Sequence, residues 1–328
     1  LASSAASDVY KRQYSSSGFY FNWLIENKIN YNTVINEDHS INAVLVQSAQ
    51  KETYKGDNVT ATDFPNDYIQ TISGGTVIKG ASDKTQWSIA SYLARVQYSY
   101  KGKYMASGAI RADGSSRFGK NNRWGYFPSA SLAWRVSGED FFTKAKFLSF
   151  VDDLKIRTSY GVTGNFQIGN YDHLSLMALD NYILGTGNGQ LVQGYKPNTI
   201  KNDDLSWEKN AMVNVGVDLQ MFKGLLGITV DYYNTNTSNM LLNVPVPHLT
   251  GYSTALMNIG KVNNRGWEIA LTSQKNFTKD FGYSFNANYA TNTNEVKALG
   301  PGNAPIISTG SVDHAYYITK VGEPIGCY

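Results

Sequence analysis

Apolar and polar residues alternate along many stretches of this chain. In 154–162, apolar or weakly polar side chains at even positions alternate with Lys155, Arg157 and Ser159 at odd positions. The same two-residue period recurs in 127–137, 210–221, 225–236 and 281–293. Period two places one set of side chains on each face of a β-strand, so each stretch predicts a strand with an apolar face and a polar face. The pattern predicts an all-β fold.

About ten such strands can be located, and many exceed the ~5–6 residues that are typical of globular proteins. They are predicted at 19–35, 41–53, 87–100, 103–112, 127–137, 154–163, 210–221, 225–236, 265–275 and 281–293. A strand that crosses a membrane needs ~9–11 residues. The strand lengths therefore allow either a soluble β protein or a transmembrane β-barrel.

The lengths of the connections distinguish these two folds. The predicted connections 36–40, 101–102, 222–224 and 276–280 are short, whereas 54–86, 113–126, 164–209 and 237–264 are long and lie between them. Outer-membrane barrels have short periplasmic turns and long extracellular loops. The alternation predicts an antiparallel transmembrane barrel with the four long loops outside the cell. The intermediate connection 138–153 falls on the periplasmic side, where its apolar residues predict a short amphipathic helix: Phe141, Phe142, Phe147 and Leu148.

Composition supports a membrane barrel and excludes several other classes. Only 17% of the residues are charged and 13% are aromatic, with 23 Tyr, whereas soluble domains average ~25% charged residues. A net charge of +3 is too small to indicate a nucleic-acid partner. The single cysteine, Cys327, excludes a disulfide within the chain and a cysteine-based metal site. No apolar run reaches the length of a transmembrane helix.

Two groups of residues follow from the barrel interpretation. The first is a set of charged residues on the polar faces, which would point into the lumen: Arg95, Lys155, Arg157, Asp218, Asp231 and Glu268. The second is a set of tyrosines near strand ends, which would form an aromatic girdle at the membrane interface: Tyr104, Tyr232, Tyr233, Tyr283 and Tyr289. Alternation alone also allows a solvated sheet face for the first set and cross-strand pairs for the second.

Several motifs occur in a characteristic order along 19–326. They are RADGSSRFG at 111–119, WGYFPS at 124–129, LKIRTSYGVTGN at 154–165, WEK at 207–209, VDYYN at 230–234, MLL at 240–242, NIG at 258–260, NRGWE at 264–268 and VGEPIG at 321–326. With these motifs the chain resembles the SusC/RagA family of TonB-dependent outer-membrane transporters.

This resemblance implies a part of a 22-stranded, plugged barrel in the outer membrane of Bacteroidota-like bacteria. It implies import of oligosaccharides or peptides, a SusD-like surface lipoprotein as partner, outer-membrane lipid around the barrel, and energy delivered by TonB through a segment that is missing here. The plug domain and the final strands of the barrel are expected to be missing as well.

The two ends suggest an interrupted sequence. The run DVYKRQ at 8–13 resembles the translation of a transposon end used in library preparation, so 1–13 is interpreted as a sequencing or cloning scar. Residues 14–328 are interpreted as a partial transporter barrel.

No catalytic, cofactor-binding or metal-binding residue is predicted. The glycine-rich 185–189 segment lacks the lysine and helix of a phosphate-binding loop, and the acidic pairs at 152–153 and 203–204 lack calcium-loop spacing. Aromatic residues of the long loops suit contact with sugar rings or with peptides, and the alternative is that they pack the loops or contact a partner: Trp124, Tyr126, Tyr171, Tyr182, Tyr195, Trp207 and Tyr252.

Two alternative functions remain open at this stage. A passive porin or adhesin would share the barrel but have no plug domain and no TonB-binding segment. A soluble β-rich carbohydrate-active enzyme would need a pair of carboxylates in a cleft, and it does not account for the alternating connections.

Overall fold

A computed structural model describes residues 12–66, 68–69, 71–185, 189–252, 254–309 and 316–327. The scar interpretation of 1–13 falls almost wholly outside these residues, as do positions 186–188 of the glycine-rich segment. The described strands are β1 (Gln13–Ile35), β2 (His39–Thr62), β3 (Thr76–Tyr100), β4 (Tyr104–Ser115), β5 (Trp124–Arg135), β6 (Val151–Asn165), β7 (Met177–Leu184), β8 (Gln190–Pro197), β9 (Glu208–Met221), β10 (Leu226–Pro245), β11 (Thr254–Asn276), β12 (Gly282–Ala290), β13 (Thr293–Ala298), β14 (Ile306–Thr309) and β15 (Tyr316–Thr319).

Eleven of these strands form one sheet in the order β1-β2-β3-β4-β5-β6-β9-β10-β11-β12, with β13 also paired to β11. Each assigned pairing is antiparallel. Strands β7 and β8 form a separate hairpin between β6 and β9, and β14 and β15 form another. The main sheet is therefore a meander, which is the topology predicted from the alternation.

The ten predicted strands are all present, but two of the predicted long loops are largely strand. Strand β2 continues to Thr62 and β3 begins at Thr76, while β10 continues to Pro245 and β11 begins at Thr254. The predicted loops 54–86 and 237–264 are thus wrong in extent. The reason is that backbone pairing continues where the two-residue period is lost: 54–62 is mostly polar, whereas 239–245 and 254–262 contain apolar residues at consecutive positions.

Side-chain hydrogen bonds connect the polar residues at the start of the β10 and β11 extensions, beside a small apolar cluster around Val262. The Asn263 amide donates to Oδ1 of Asn234 at 2.6 Å and to Oδ1 of Asn236 at 2.9 Å. The Thr237 hydroxyl donates to Oδ1 of Asn210 at 2.5 Å. Amide and hydroxyl side chains can pair across strands without an apolar period, so hydrophobic patterning does not detect them.

The main sheet carries two chemically distinct faces. Direct strand partners place Lys155 opposite Asp218, and Arg157 opposite Gly216, which lies opposite Asp231 in turn. We call the side of the sheet that carries these residues the polar face. On the other side, the apolar face, Leu132, Ile156 and Val217 remain 60%, 40% and 36% exposed. A continuous exposed apolar face is typical of a surface covered by lipid or by another protein.

The described chain divides into two compact units. Among the described residues, the first comprises 12–26 and Ser48–Ala90, and the second comprises Asn27–Gln47 and those from Ser91 onward. In the first unit, the rings of Tyr20 and Tyr54 lie 4.6 Å apart and the Trp87 indole donates to Oε1 of Glu52 at 3.1 Å. The second unit contains the polar-face charges and the loops described below.

Aromatic side chains line the short-turn end of the sheet, defined by the connections 36–38, 101–103, 136–150, 222–225 and 277–281. Tyr104 stacks with Trp134 at 6.5 Å, and Trp134 lies 6.5 Å from Phe141. The Glu139 carboxylate accepts hydrogen bonds from the Tyr104 hydroxyl, the Trp134 indole and the Lys103 ammonium group. These contacts, with the Tyr104 hydrogen bond the largest, hold the pKa of Glu139 below its usual range. These contacts support the predicted girdle at Tyr104.

The other girdle tyrosines divide between the two faces. Tyr232, Tyr283 and Tyr289 lie on the apolar face, as predicted, opposite Trp267, Lys275 and Ile269 respectively. The assignment of Tyr233 to the girdle is wrong, because consecutive residues of a strand point to opposite faces. The Tyr233 hydroxyl instead donates to the carbonyl oxygen of Thr291 at 3.3 Å on the polar face.

The connection 136–150 contains less helix than predicted. Helix α1 (Asp140–Thr143) is a single turn between two 3₁₀ turns, Val136–Gly138 and Lys146–Leu148. Phe142 is buried, whereas Phe141 and Phe147 are 60% and 78% exposed. The segment therefore has the predicted amphipathic character in a shorter form.

The backbone between β12 and β13 passes very close to Gly266 of the NRGWE motif. Strand β12 pairs with one half of β11 and β13 with the other, and Thr291 in the break donates its backbone N–H to the carbonyl of Trp267 at 2.8 Å. A Cβ at Gly266 would lie 1.9 Å from the carbonyl oxygen of Thr291 and 2.8 Å from the Tyr233 hydroxyl. Glycine is therefore required at 266 by close backbone approach.

Replacing Gly266 with alanine should destabilise the folded barrel. The added methyl group meets backbone that cannot move independently, and overpacking of this kind costs ~1–3 kcal/mol. The measurement is the urea midpoint of the full-length protein refolded in detergent, with Gly108→Ala as the matched control because nothing lies within 4 Å of a Cβ there. Equal midpoints for the two variants would contradict the close approach.

Candidate functional site on the polar face and at the long-loop end

Arg157 connects three strands of the polar face. Its guanidinium on β6 donates to Oδ2 of Asp218 on β9 at 3.2 Å and to Oδ2 of Asp231 on β10 at 2.6 Å. Lys155 adds a second contact to Asp218 at 2.9 Å. Bidentate-capable arginine is suited to bridging two carboxylates in this way. The predicted polar-face residues thus form one ion-pair network rather than isolated charges.

Gly216 makes the bridge from Arg157 to Asp231 possible. It lies on β9 directly between them, and a Cβ at this position would be 2.7 Å from the guanidinium carbon and 2.5 Å from Oδ1 of Asp231. The absent side chain leaves a path across the middle strand. The lack of a side chain at Gly216 therefore allows Arg157 to reach Asp231 across β9 on the polar face.

Removing Arg157 should cost more than breaking an ion pair at the surface. Arg157→Met leaves Asp218 and Asp231 without their shared cation. Because the arginine side chain is 31% exposed, we expect the free energy of unfolding to fall by ~2 kcal/mol, less than the ~3–5 kcal/mol lost when a fully buried pair is broken. Lys196→Met is the control, since the Lys196–Asp180 pair is more than half exposed and should contribute ~0–1 kcal/mol. Equal shifts in urea midpoint for the two variants would disprove the network.

The remaining predicted polar-face residues also lie on this face. Glu268 is directly opposite Asp231. Ser91 on β3 accepts a hydrogen bond from Arg111 at 3.3 Å. Arg95 lies four residues after Ser91 on the same strand and therefore on the same face of the sheet. Arg111 in turn pairs with the buried Asp113 at 2.7 Å. The polar face therefore carries paired charges from the short-turn end to the long-loop end.

An aromatic cluster organises the long-loop end of the second unit, defined by the connections 116–123, 166–207 and 246–253. Trp207 is 3% exposed, and its ring lies 4.8 Å from Phe118, 5.3 Å from Phe127 and 5.7 Å from Phe166. Phe118 and Leu205 are fully buried. We call these five residues the mouth cluster. It joins the β4–β5 loop to the segment before β9, which are distant in sequence.

Polar contacts surround the mouth cluster. The Trp207 indole donates to the carbonyl oxygen of Arg123 at 3.0 Å, and the backbone N–H of Gly119 donates to that of Leu205 at 3.2 Å. Arg117 donates to Oδ1 of Asn170 at 2.9 Å and lies 5.3 Å from the centre of the Phe166 ring. The loops at this end are therefore held in one arrangement by buried side chains and by hydrogen bonds.

Charged residues border the cluster on its exposed side. Lys201 approaches Asp203 at 2.7 Å and Lys120 approaches it at 3.9 Å. The hydrogen bond from Lys201, followed by the charges of Lys201, Lys120 and His173, holds the pKa of Asp203 below its usual range. Asp203 and Asp204 lie in a turn, which agrees with their interpretation as turn residues.

The loop aromatics considered as substrate contacts fall into three groups. Trp124 and Tyr126 lie on β5 rather than in a loop, on the apolar face with Leu132, so a substrate role in the lumen is excluded for them. Trp207 packs the loops from within. Tyr182 and Tyr195 lie on the β7–β8 hairpin and are 68% and 67% exposed; together with Tyr171 and Tyr252 they stay candidates for contact with substrate or partner.

Pattern reasoning missed the residues that organise the mouth. Phe118, Leu205 and Asn258 carry no alternation signal, although Asn258 donates to the carbonyl oxygens of Ser206 at 2.7 Å and Asn239 at 2.9 Å. Their only sequence signal is the presence of Phe118 and Asn258 in the RADGSSRFG and NIG motifs. Across the described ranges, no three His, Cys, Asp or Glu side chains form a metal-binding group, and none of the described helices is long and apolar enough to cross a membrane.

A long antiparallel meander with one exposed apolar face and one charged face defines the wall of a β-barrel of the outer-membrane type. The comparison with protein families agrees: residues 2–313 match the model described as TonB dependent receptor-like, beta-barrel. The chain belongs to the TonB-dependent receptor β-barrel family.

Several named members of this family are similar to the chain. It is 36% identical over 310 residues to TonB-dependent receptor P39 of Formosa agariphila and 32% identical over 243 residues to TonB-dependent receptor SusC of Bacteroides thetaiotaomicron. These alignments cover 94% and 74% of this chain, but only 28% and 23% of the relatives. The solved RagAB peptide transporter matches with a TM-score of 0.84 and 26% identity, over 96% of this chain and 34% of that chain.

The chain therefore spans about a quarter to a third of the length of these relatives. The resemblance to SusC/RagA transporters that the motifs indicated is confirmed, as is the barrel fold. The matched relatives are receptors and transporters rather than enzymes.

Proposed function

We propose that this chain forms part of the wall and mouth of an outer-membrane importer that is energised through TonB. The observation that carries the proposal is the family match over 2–313, combined with a sheet whose apolar face suits lipid and whose polar face suits a hydrated or plugged lumen. The four long connections would lie outside the cell, and TonB would act through a segment outside this chain. No residue of the chain is proposed to be catalytic.

A SusD-like surface lipoprotein is the proposed partner at the mouth. Similarity to SusC and to a chain of the RagAB transporter supports it. The mouth cluster supports it physically, because loops held in a single arrangement lose little conformational entropy when a partner docks on them. The exposed tyrosines Tyr182 and Tyr195 suit such a contact, since tyrosine is enriched at interfaces.

Oligosaccharides or peptides are the proposed cargo. The likeness to a solved peptide transporter supports peptides. Paired charges and amide side chains along the polar face offer hydrogen-bond donors and acceptors to either kind of oligomer. A lumen lined in this way would not favour an apolar solute.

Uptake by the full-length transporter in its host tests the proposal. Cells that carry the gene, cells that lack it and cells that carry it without TonB are given fluorescent peptides and fluorescent oligosaccharides of similar mass. Accumulation of one class only when both the gene and TonB are present is the expected result. Accumulation that persists without TonB would indicate a passive pore and would overturn the proposal.

A further inference from the structure

A groove on the apolar face has the properties of a binding site for a lipid acyl chain. Its volume is about 360 Å³, and nearly all of its surface is apolar. It lies on strands β3 to β6, near the short-turn end. The side chains that shape it on the apolar face are Tyr98, Tyr104, Ala106, Leu132, Trp134 and Ile156.

Large side chains form the walls of this groove, and the small side chain of Ala106 forms part of its floor. Tyr104 and Trp134 stack with their ring planes only 5° apart and form a wall at the short-turn end. Ile156 lies directly opposite Trp134 and extends this wall, whereas Leu132 lies further from the turns, with Ala106 directly opposite it. A small side chain among large ones leaves a depression that a flexible chain can fill.

Continuity with the rest of the apolar face identifies the occupant. The groove is part of the surface that faces hydrocarbon in a barrel of this family, with exposed Leu132 and Ile156 as neighbours. Lys101 lies in the turn beside it, where its ammonium group pairs with the Asp38 carboxylate at 3.3 Å and lies 5.3 Å from the centre of the Tyr100 ring. Because aromatic rings and charged groups at the end of an apolar surface are typical of the membrane interface, the groove fits a phospholipid whose headgroup lies beside these residues.

We infer that this groove retains one phospholipid, with an acyl chain between Leu132, Trp134 and Ile156 and its headgroup at the short-turn end. This inference goes beyond import, since it concerns the outer surface of the barrel. A retained phospholipid would complete the apolar face at a position where the protein leaves a depression.

Filling the groove tests the inference. The full-length transporter is purified from outer membranes in mild detergent, and bound phospholipid is quantified by native mass spectrometry and by lipid extraction. The variant is Ala106→Phe, with Ala106→Leu as a smaller substitution should the first fail to fold. Ala130→Phe is the matched control, because Ala130 lies on the same face of the neighbouring strand, opposite Gly108 and outside the groove.

Wild type and Ala130→Phe should retain about one phospholipid per barrel after extended washing, and Ala106→Phe or Ala106→Leu should lose it at least fivefold. Wild-type protein that retains no phospholipid would overturn the inference. Equal retention by the groove and control variants would also overturn it, because it would show annular lipid only. Both results are independent of transport, which is measured separately.

Discussion

Replacing Trp207 with alanine should release the loops of the mouth cluster. The indole ring is 3% exposed and contacts Phe118, Phe127 and Phe166. Its loss removes these packing contacts and leaves a cavity, which costs ~3–5 kcal/mol for a buried tryptophan. It also leaves the carbonyl oxygen of Arg123 without its indole donor. We expect this to be the largest effect of any single substitution considered.

Limited proteolysis of the intact, membrane-inserted protein measures the release. The β4–β5 loop and the segment before β9 should be cleaved much faster in Trp207→Ala than in wild type, whereas the barrel strands stay protected. Tyr195→Ala is the control, because Tyr195 is 67% exposed on the β7–β8 hairpin. Wild-type cleavage rates in Trp207→Ala would show that the cluster does not hold the loops.

The same variant connects packing with the proposed function. If the mouth cluster provides a fixed surface for a surface lipoprotein, Trp207→Ala should weaken that association more than tenfold, since the loops must be ordered again on binding. Trp207→Phe keeps much of the ring packing and should lie between wild type and alanine.

Arginine introduced at two adjacent positions should destabilise the membrane-inserted protein to different extents. Leu132 lies on the apolar face and Ser131 on the polar face, where its hydroxyl is 2.7 Å from that of Ser107. Charge on the lipid side costs ~2–4 kcal/mol near the midplane and less towards the interfaces, whereas lumen positions tolerate it. Because Leu132 lies two residues inside the girdle residue Trp134, Leu132→Arg should be destabilised by an amount between these limits, and Ser131→Arg only slightly.

Folding into liposomes provides the comparison. The folded fraction and the urea midpoint of the two full-length variants are measured at the same lipid composition. The charge, the strand and the depth are nearly identical, so a difference reports the face alone. Equal stability of the two variants would mean that the apolar face does not contact lipid.

Alternation predicted the central strands because each of their faces has a single environment. In β6, β9 and β10 one face carries mainly apolar side chains and the other carries Lys155, Arg157, Asp218 and Asp231. Position along the strand was therefore sufficient to assign these residues to a face. The error at Tyr233 arose from treating two consecutive tyrosines as one group, although Tyr232 and Tyr233 must point apart.

Hydrophobic patterning could not predict the long-loop end. Strands β2, β10 and β11 extend beyond their alternating stretches, and Asn263 of β11 hydrogen-bonds to Asn234 of β10. The predicted loop 113–126 includes Trp124 and Tyr126, yet the β4–β5 pairing continues through them. The mouth cluster depends on contacts such as Phe118 with Trp207, which join segments far apart in sequence and leave no periodic signal.

Spin labels at successive positions of β6 test the two-faced wall most directly. In a full-length protein in which every native cysteine, including Cys327, is replaced by serine, single cysteines from 154 to 162 are labelled and the protein is inserted into lipid bilayers. A lipid-facing apolar side predicts high accessibility to oxygen at even positions and high accessibility to a water-soluble nickel chelate, or burial against a plug, at odd positions. Accessibility that does not alternate, or that alternates in the opposite sense, would contradict the assignment of the faces.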